Sequence, residues 1–292
     1  MKGGDEKMKW TQWQKVTGPG FEFSLIIYEK KYHTELEGGV ARITINRPDK
    51  YNAVNPETED EMFRAFYDAS HDPTIGAVIL TGAGDHFCTG GDVSWEQWGI
   101  RRRFNYEYPT NRLIRICRKP IIAAVKGYAI AAGNHMAYFC DFTIAADNAI
   151  FGQNGPRVAS PADGMVVYYS TRVLGAKKAR EMWMLCRRYT ADEALRMGLV
   201  NKVVPLDKLE EEVDNWCEEL LSISPSCLEI LKATFDAEFD QMPLLGHQTL
   251  SLYPDFFDSA EGAEGPAAFL AKRKPQFWKA RKAKPEASGQ KK

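Results

Sequence analysis

The 292-residue sequence has no apolar run near the roughly 20 residues that a membrane-crossing helix needs. Its longest apolar stretches, such as Ile121–Val125 and Ala129–Ala132, are too short to span a bilayer. It also lacks an excess of charge of one sign. Lys and Arg total 38 against 39 Asp and Glu, a net charge of −1, which excludes a protein that coats nucleic acid by displacing counterions. The six cysteines (Cys88, Cys117, Cys140, Cys186, Cys217, Cys227) form no CxxC pair, so neither a disulfide framework nor a metal site is expected. The pattern predicts reduced, mostly buried thiols and a cytoplasmic location. Met1–Lys9 is polar and of mixed charge, without the apolar stretch of a secretory leader. No repeat of fixed period is present. The remaining feature is an ordinary hydrophobic content of 44%, enough for a packed globular core.

Residues 1–35 read as an irregular N-terminal extension whose Trp10, Trp13, Phe21 and Phe23 imply packing onto the body or a neighbouring subunit. From 36 to 205 the chain alternates strands and helices. Gly39–Ile45 has the period of two of a strand, and Met62, Ala65, Phe66 and Ala69 give Glu57–Ser70 a helical stripe. Ala77–Thr81, Ile121–Val125, Phe142–Ala145 and Ala149–Gly152 read as further strands. Helices are expected over Asn134–Phe139, Gly164–Leu174, Ala176–Cys186 and Ala191–Met197. This alternation predicts an α/β core with a parallel sheet. Residues 206–279 read as wholly helical, in segments Leu206–Ser222, Ser226–Phe239 and Leu244–Phe257, and 280–292 as a disordered tail.

Three loops follow strands and carry the candidate chemistry. Phe87–Asp92 pairs Gly90 with Gly91, which allows close backbone approach and exposes N–H groups to an anion. Gly127–Gly133 ends a buried strand and opens a helix, whose first N–H groups are unpaired and suited to a developing oxyanion. Phe151–Pro156 leads through Ser160–Gly164 into another helix.

The order of these loops resembles the enoyl-CoA hydratase/isomerase (crotonase) superfamily. The resemblance is carried by Ile45–Pro48 with Asn52-Ala53, by Phe87–Asp92, Pro120–Asp141 and Phe151–Gln153, and by Ala194–Val204, and it covers 36–278. Within it the chain is most similar to the branch of 1,4-dihydroxy-2-naphthoyl-CoA synthases and 2-ketocyclohexanecarboxyl-CoA hydrolases. Segments Gly82–Asp85, Cys88–Asp92, Ala145–Gly155, Lys177–Glu181 and Lys272–Phe277 carry that likeness.

The resemblance implies a crotonase (ClpP-like) fold of stacked ββα units with a helical C-terminal extension over 206–279. That extension would arrange a homotrimer or a dimer of trimers. It implies an acyl-CoA substrate, with coenzyme A as part of that substrate and no tightly bound cofactor. The backbone N–H groups of Gly91 and Ala132 would form the oxyanion hole, although relatives usually have glycine at the positions of Ala131 and Ala132. Substrate and CoA contacts are expected from Lys50, Tyr51, Ala53, Thr89, Gly90, Val93, Tyr128, Ala131, Gln153, Asn154, Gly155, Phe257 and Lys272.

Two departures shift the expected chemistry. The aspartate and tyrosine of the naphthoyl-CoA branch fall at Ala162 and Phe257, neither of which moves a proton. The two glutamates of hydratases fall at His135 and Gly155. His135 is then either a general base, given an ordinary pKa near 6.5, or a structural group. Asp163 is either a helix cap or a proton carrier. Asp92 would orient its loop or touch substrate, and Ser160 and Asn154 would donate to a ring oxygen. Aromatics and arginines over Ser94–Tyr108, including Arg101–Arg103, would shape a pocket for a bulky acyl group. The expected activity is addition of water to a cyclic acyl-CoA, by hydration or ring-opening hydrolysis. The alternatives are naphthoyl-CoA synthase-like ring closure and a non-catalytic CoA-binding subunit.

Overall fold

A computed structural model of the chain describes residues 9–94, 110–162, 164–237, 252–253 and 256–282. Among the described residues, ten strands form two sheets. In the larger sheet the spatial order is β1 (Gln14–Lys15), β2 (Ile26–Tyr32), β3 (Gly39–Ile45), β4 (Ile75–Gly82), β5 (Ile121–Val125), β7 (Phe142–Ala146) and β10 (Lys202–Val204). β1–β2–β3 pair antiparallel, and β3 through β10 pair parallel. The smaller sheet is β6 (Tyr128–Ile130), β8 (Ile150–Gly152) and β9 (Arg188–Thr190).

The helices are α1 (Pro56–His71), α2 (Thr110–Ile116), α3 (Ala132–Phe139), α4 (Met165–Leu174) and α5 (Ala176–Leu185), then α6 (Ala191–Arg196), α7 (Leu209–Leu221), α8 (Pro225–Asp236), α9 (Ala260–Leu270) and α10 (Phe277–Lys282). None of them is long and apolar enough to cross a membrane. The central strands are buried on both faces, which is why Ile121–Val125 reads as an uninterrupted apolar run. One face packs with α1, α2 and α3. The other packs Val40, Ala77, Ile79, Ile122 and Ile144 against Leu209, Val213, Cys217 and Leu220 of α7. Five of the six cysteines are buried, and Cys227 is exposed.

The main departure from the sequence reading lies in the N-terminal region. Residues 26–32 are not irregular but form the seven-residue strand β2, paired along its length with β3. The consecutive charges Glu29, Lys30 and Lys31 disguise it, and each finds a distant partner. Arg42 meets Glu29 at 2.8 Å, while Lys30 meets Asp68 at 2.6 Å and Asp72 at 2.8 Å. Lys31, 4% exposed, meets Asp214 at 2.6 Å between the rings of Trp10 and Trp13. The N-terminal tryptophans therefore pack on the chain's own body.

Glu61 of α1 fastens the loop before β2 by accepting from the N–H groups of Ser24, Leu25 and Ile26. Three smaller differences concern helix limits. α3 begins at Ala132, two residues before its expected start. Phe256–Asp258 is a 3-10 turn rather than part of an α-helix, and α10 runs on to Lys282. The rest of the helix expected over Leu244–Phe257 lies largely outside the described residues, as do Asp163, residues 95–109 and the tail beyond 282.

Candidate active site

The site is assembled where the ends of β4, β6 and β8 meet the start of α3. Buried Asn52 acts as a staple beneath it. Its side chain accepts from the Arg47 N–H at 3.0 Å and donates to the carbonyls of Ala83 and His86 at 2.8 and 2.7 Å. Residues 87–88 then run beside 126–130, with Cys88 N–H donating to Tyr128 O and Ile130 N–H to Cys88 O. On its other side the loop is held by Val54, which donates to Gly90 O and accepts from Asp92 N–H. This double tether leaves the Gly91 N–H without a hydrogen-bond acceptor among the described residues, and the same is true of Ala132 N–H at the first position of α3.

The two turns touch. A side chain on Gly133 would place its Cβ 2.1 Å from Cys88 O, and one on Gly90, whose φ is +108°, would reach 2.9 Å from Ala131 Cβ. Ala131 itself adopts φ 51°, ψ −118°, a left-handed conformation that costs an alanine on the order of 1–3 kcal/mol. Two unpaired N–H groups on abutting rigid turns, one of them at a helix N-terminus, form a donor pair for a negative oxygen. Cys88 between them is no nucleophile, because complete burial pushes its thiol up to about 12.

One helical turn beyond Ala132, His135 is buried, with its Nε2 3.1 Å from Gln153 Oε1. Its ring stacks on Trp183 at 5.1 Å and leans on Tyr138 at 5.7 Å. Trp183 is fixed in turn by its Nε1–H, which donates to Ser170 Oγ at 3.0 Å. Gln153 is fully buried, and its amide nitrogen has no hydrogen-bond partner among the described residues. Arg188 binds the backbone carbonyl of Gln153 and, at 3.2 Å, Asn154 Oδ1. Gly155 closes a tight turn with Ser160, whose N–H donates to Gly155 O at 3.0 Å. A Cβ on Gly155 would lie 2.4 Å from Ser160 O, so no larger residue fits there.

Asp92 is fully engaged. Arg47 meets its Oδ2 at 2.8 Å, and Ser94 donates twice to its Oδ1. Burial pushes its carboxyl up, but the hydrogen bonds from Ser94 and Arg47 outweigh this and hold it below the usual range. Asp92 thereby ties the loop to Arg47 and Ser94.

Thr89 donates its hydroxyl to Tyr51 O at 3.2 Å, bringing exposed Lys50 and Tyr51 to the Gly90–Gly91 loop. Ala53 lies beside them, its carbonyl bound by Arg47. Val93 is half-buried directly after the loop, and Tyr128 stands exposed at the start of β6. Phe257 is half-buried in the turn before α9, and α9 presses Gly265 onto Val158 and Ala159 beside the site. Lys272 is exposed beyond α9 and makes no hydrogen bond or ion pair with the site loops among the described residues. The sequence reading did not single out Trp183, Arg188 or His86. Their partners lie 13 to 48 residues away in the chain, and no local motif signals such contacts.

A model of the enoyl-CoA hydratase/isomerase family matches residues 35–281. Among solved structures, the chain is similar to an enoyl-CoA hydratase/carnithine racemase from Magnetospirillum magneticum, with 30% identity over 87% of this chain and 96% of that one and a TM-score of 0.68. It is similar to an enoyl-CoA hydratase subunit from Geobacillus kaustophilus, with 28% identity over 88% and 98% of the two chains and a TM-score of 0.67. A monofunctional enoyl-CoA isomerase from M. smegmatis is 30% identical over 75% of this chain and 95% of its own, with a TM-score of 0.61.

Proposed function

This chain belongs to the enoyl-CoA hydratase/isomerase family, and on that premise we propose that it adds water to a cyclic acyl-CoA, as a hydratase or a ring-opening hydrolase. The observation that carries the reading is His135, 3.1 Å from Gln153 and one helical turn from the unpaired Ala132 N–H at the start of α3. Gly91 and Ala132 receive the thioester oxygen as it gains negative charge, and the enolate forms beneath them. His135 is the general base and takes the proton that water or the α-carbon gives up. In hydration the water oxygen bonds to the β-carbon, and the proton passes to the α-carbon. In ring opening the water oxygen bonds to the ring ketone, the bond from that carbon to the α-carbon breaks, and the α-carbon takes the proton. Ser160 and Asn154 orient the ring oxygen, and Asp163 is the second candidate for moving the proton.

Oligomerisation as a trimer or dimer of trimers is part of this reading. It is supported by the exposed apolar residues Met184, Leu185, Ile230, Leu231 and Phe235 on α5 and α8, and light scattering of the purified protein tests it. Six free thiols suit a reducing cytoplasm.

A second reading, naphthoyl-CoA synthase-like ring closure, is favoured by Gly155, which matches the glycine of bicarbonate-using members of that branch. Incubation with a cyclic enoyl-CoA, 2-ketocyclohexanecarboxyl-CoA and succinylbenzoyl-CoA, read by mass, separates the two. Turnover of either of the first two supports water addition, and product from succinylbenzoyl-CoA alone overturns it in favour of ring closure. His135→Ala should lower turnover at least about tenfold with little change in CoA affinity. An unchanged rate would reduce His135 to a structural group.

A further inference from the structure

The helix α8 packs with inverted polarity. Lys232 is the one residue of α8 that is buried, whereas Ile230, Leu231 and Phe235 are exposed. Its inward stripe is Glu229, Lys232 and Asp236, at the i, i+3, i+7 spacing of one helix face. Glu229 meets Lys119 at 2.6 Å, Lys232 meets Asp141, and Asp236 meets Arg115. Lys119 and Arg115 are themselves buried. A buried ion pair stabilises little more than apolar packing of the same volume, while loss of one partner is costly, so the stripe holds α8 to one seat.

What the stripe grips is the far end of α3. Arg115 Nη1 donates to the carbonyl of Phe139, the last residue of α3, at 3.1 Å. Its guanidinium lies 5.1 Å from the centre of the Tyr169 ring, which stacks on Phe139 at 5.0 Å. A cation at that carbonyl complements the negative end of the helix dipole. Two residues on, Asp141 accepts from Ile121 N–H at 2.8 Å while it holds Lys232, which ties the exit of α3 to the start of β5. An eight-residue helix is about 12 Å long, so fixing its last turn fixes the register of its first, where Ala132 and His135 stand. Ala131, just before it, is held at φ 51°. Backbone strain of that kind persists only where the surroundings over-determine it.

We infer that Arg115, seated by Asp236, is a positioning residue for the oxyanion hole. By binding the last carbonyl of α3 it holds the helix where Ala131 stays strained and the Ala132 N–H faces the thioester oxygen. This rests on the acyl-CoA reading above. The test is exchange of the α-hydrogen of cyclohexanecarboxyl-CoA in D2O, measured per folded molecule at saturating substrate, with CoA affinity read by calorimetry. Arg115→Met/Asp236→Leu removes both charges together, so that neither is left buried alone. It should slow exchange about 100-fold with CoA affinity within twofold of the unmodified chain. Arg115→Gln/Asp236→Asn, the milder change should the first not fold, should slow it about tenfold. Arg115→Lys, which keeps a cation at the helix end, should recover most of the rate. Lys119→Met/Glu229→Leu alters the pair that makes no bond to α3 among the described residues, and it should exchange within twofold of the unmodified chain. A full rate in the folded Arg115/Asp236 variants, or equal slowing in the Lys119/Glu229 variant, overturns the positioning role and leaves the acyl-CoA reading standing. An unmodified chain that neither exchanges the α-hydrogen nor binds CoA overturns both.

Discussion

Gly133→Ala probes the abutment of the two turns without altering any functional side chain. The added methyl carbon would lie 2.1 Å from Cys88 O, about 1.3 Å short of the 3.4 Å at which ordinary contact begins. The Cys88 carbonyl is bound by Ile130 N–H and cannot swing aside alone. Relief therefore requires the loop carrying Gly91 and the start of α3 carrying Ala132 to separate by about an ångström. Overpacking of this kind costs roughly 1–3 kcal/mol of stability, which the thermal midpoint should register as a drop of a few degrees. Misplacement of catalytic groups by about 1 Å costs roughly 10²-fold in rate. The assay is exchange of the α-hydrogen of cyclohexanecarboxyl-CoA in D2O followed by mass, which reads enolate formation whatever the later steps. The expected result is exchange slowed about 100-fold at saturating substrate. A folded Gly133→Ala protein that binds CoA normally and exchanges within twofold of the unmodified chain would refute the two-turn account.

Gln153→Glu places a carboxylate against His135 Nε2, 3.1 Å from the present amide oxygen. The limb of the pH profile of kcat/KM that belongs to His135 should move upward by about 1–3 units, and an unmoved limb would exclude His135 as the titrating base. Glu61→Gln weakens the bonds from the N–H groups of Ser24, Leu25 and Ile26. It should lower the unfolding free energy by roughly 1.5–3 kcal/mol and speed hydrogen exchange at those three amides, and unchanged exchange would contradict it. Glu264 is held down to about 2 by its hydrogen bonds from Arg273 and from the Gln276 N–H. Because its folded value lies below the unfolded value of about 4.3, its stabilising contribution is complete above that pH and lost as pH falls toward about 2. Trp278 fluorescence should report loosening of α10 in that window, and Glu264→Gln should abolish the step.

What the sequence made legible follows from how local each signal is. The buried strand Ile121–Val125 announces itself because both of its faces are covered, and the Gly90-Gly91 pair and Gly127 and Gly133 of the two turns because they serve a local backbone shape. β2 was illegible because its charges are neutralised by Arg42, Asp68, Asp72 and Asp214, the last of them 183 residues from Lys31. Residues 188–190 carry no strand signal of their own, since β9 exists through pairing with β8. The side-chain part of the site behaves likewise. His135 is visible from its place after Ala132, but Gln153 is 18 residues away and Trp183 48, and only the packing of α3 against β8 and α5 unites them. The strained backbone of Ala131 was also hidden, because an alanine does not advertise a positive φ as a glycine does.

The central claim is that a thioester oxygen sits between the N–H groups of Gly91 and Ala132. A crystal structure of the protein with a bound, slowly reacting acyl-CoA measures this directly. The account predicts the thioester oxygen within roughly 2.7–3.1 Å of both backbone nitrogens, with the His135 ring facing the α- and β-carbons. An acyl-CoA seated with its carbonyl oxygen bonded elsewhere, and both N–H groups still unoccupied, would contradict it.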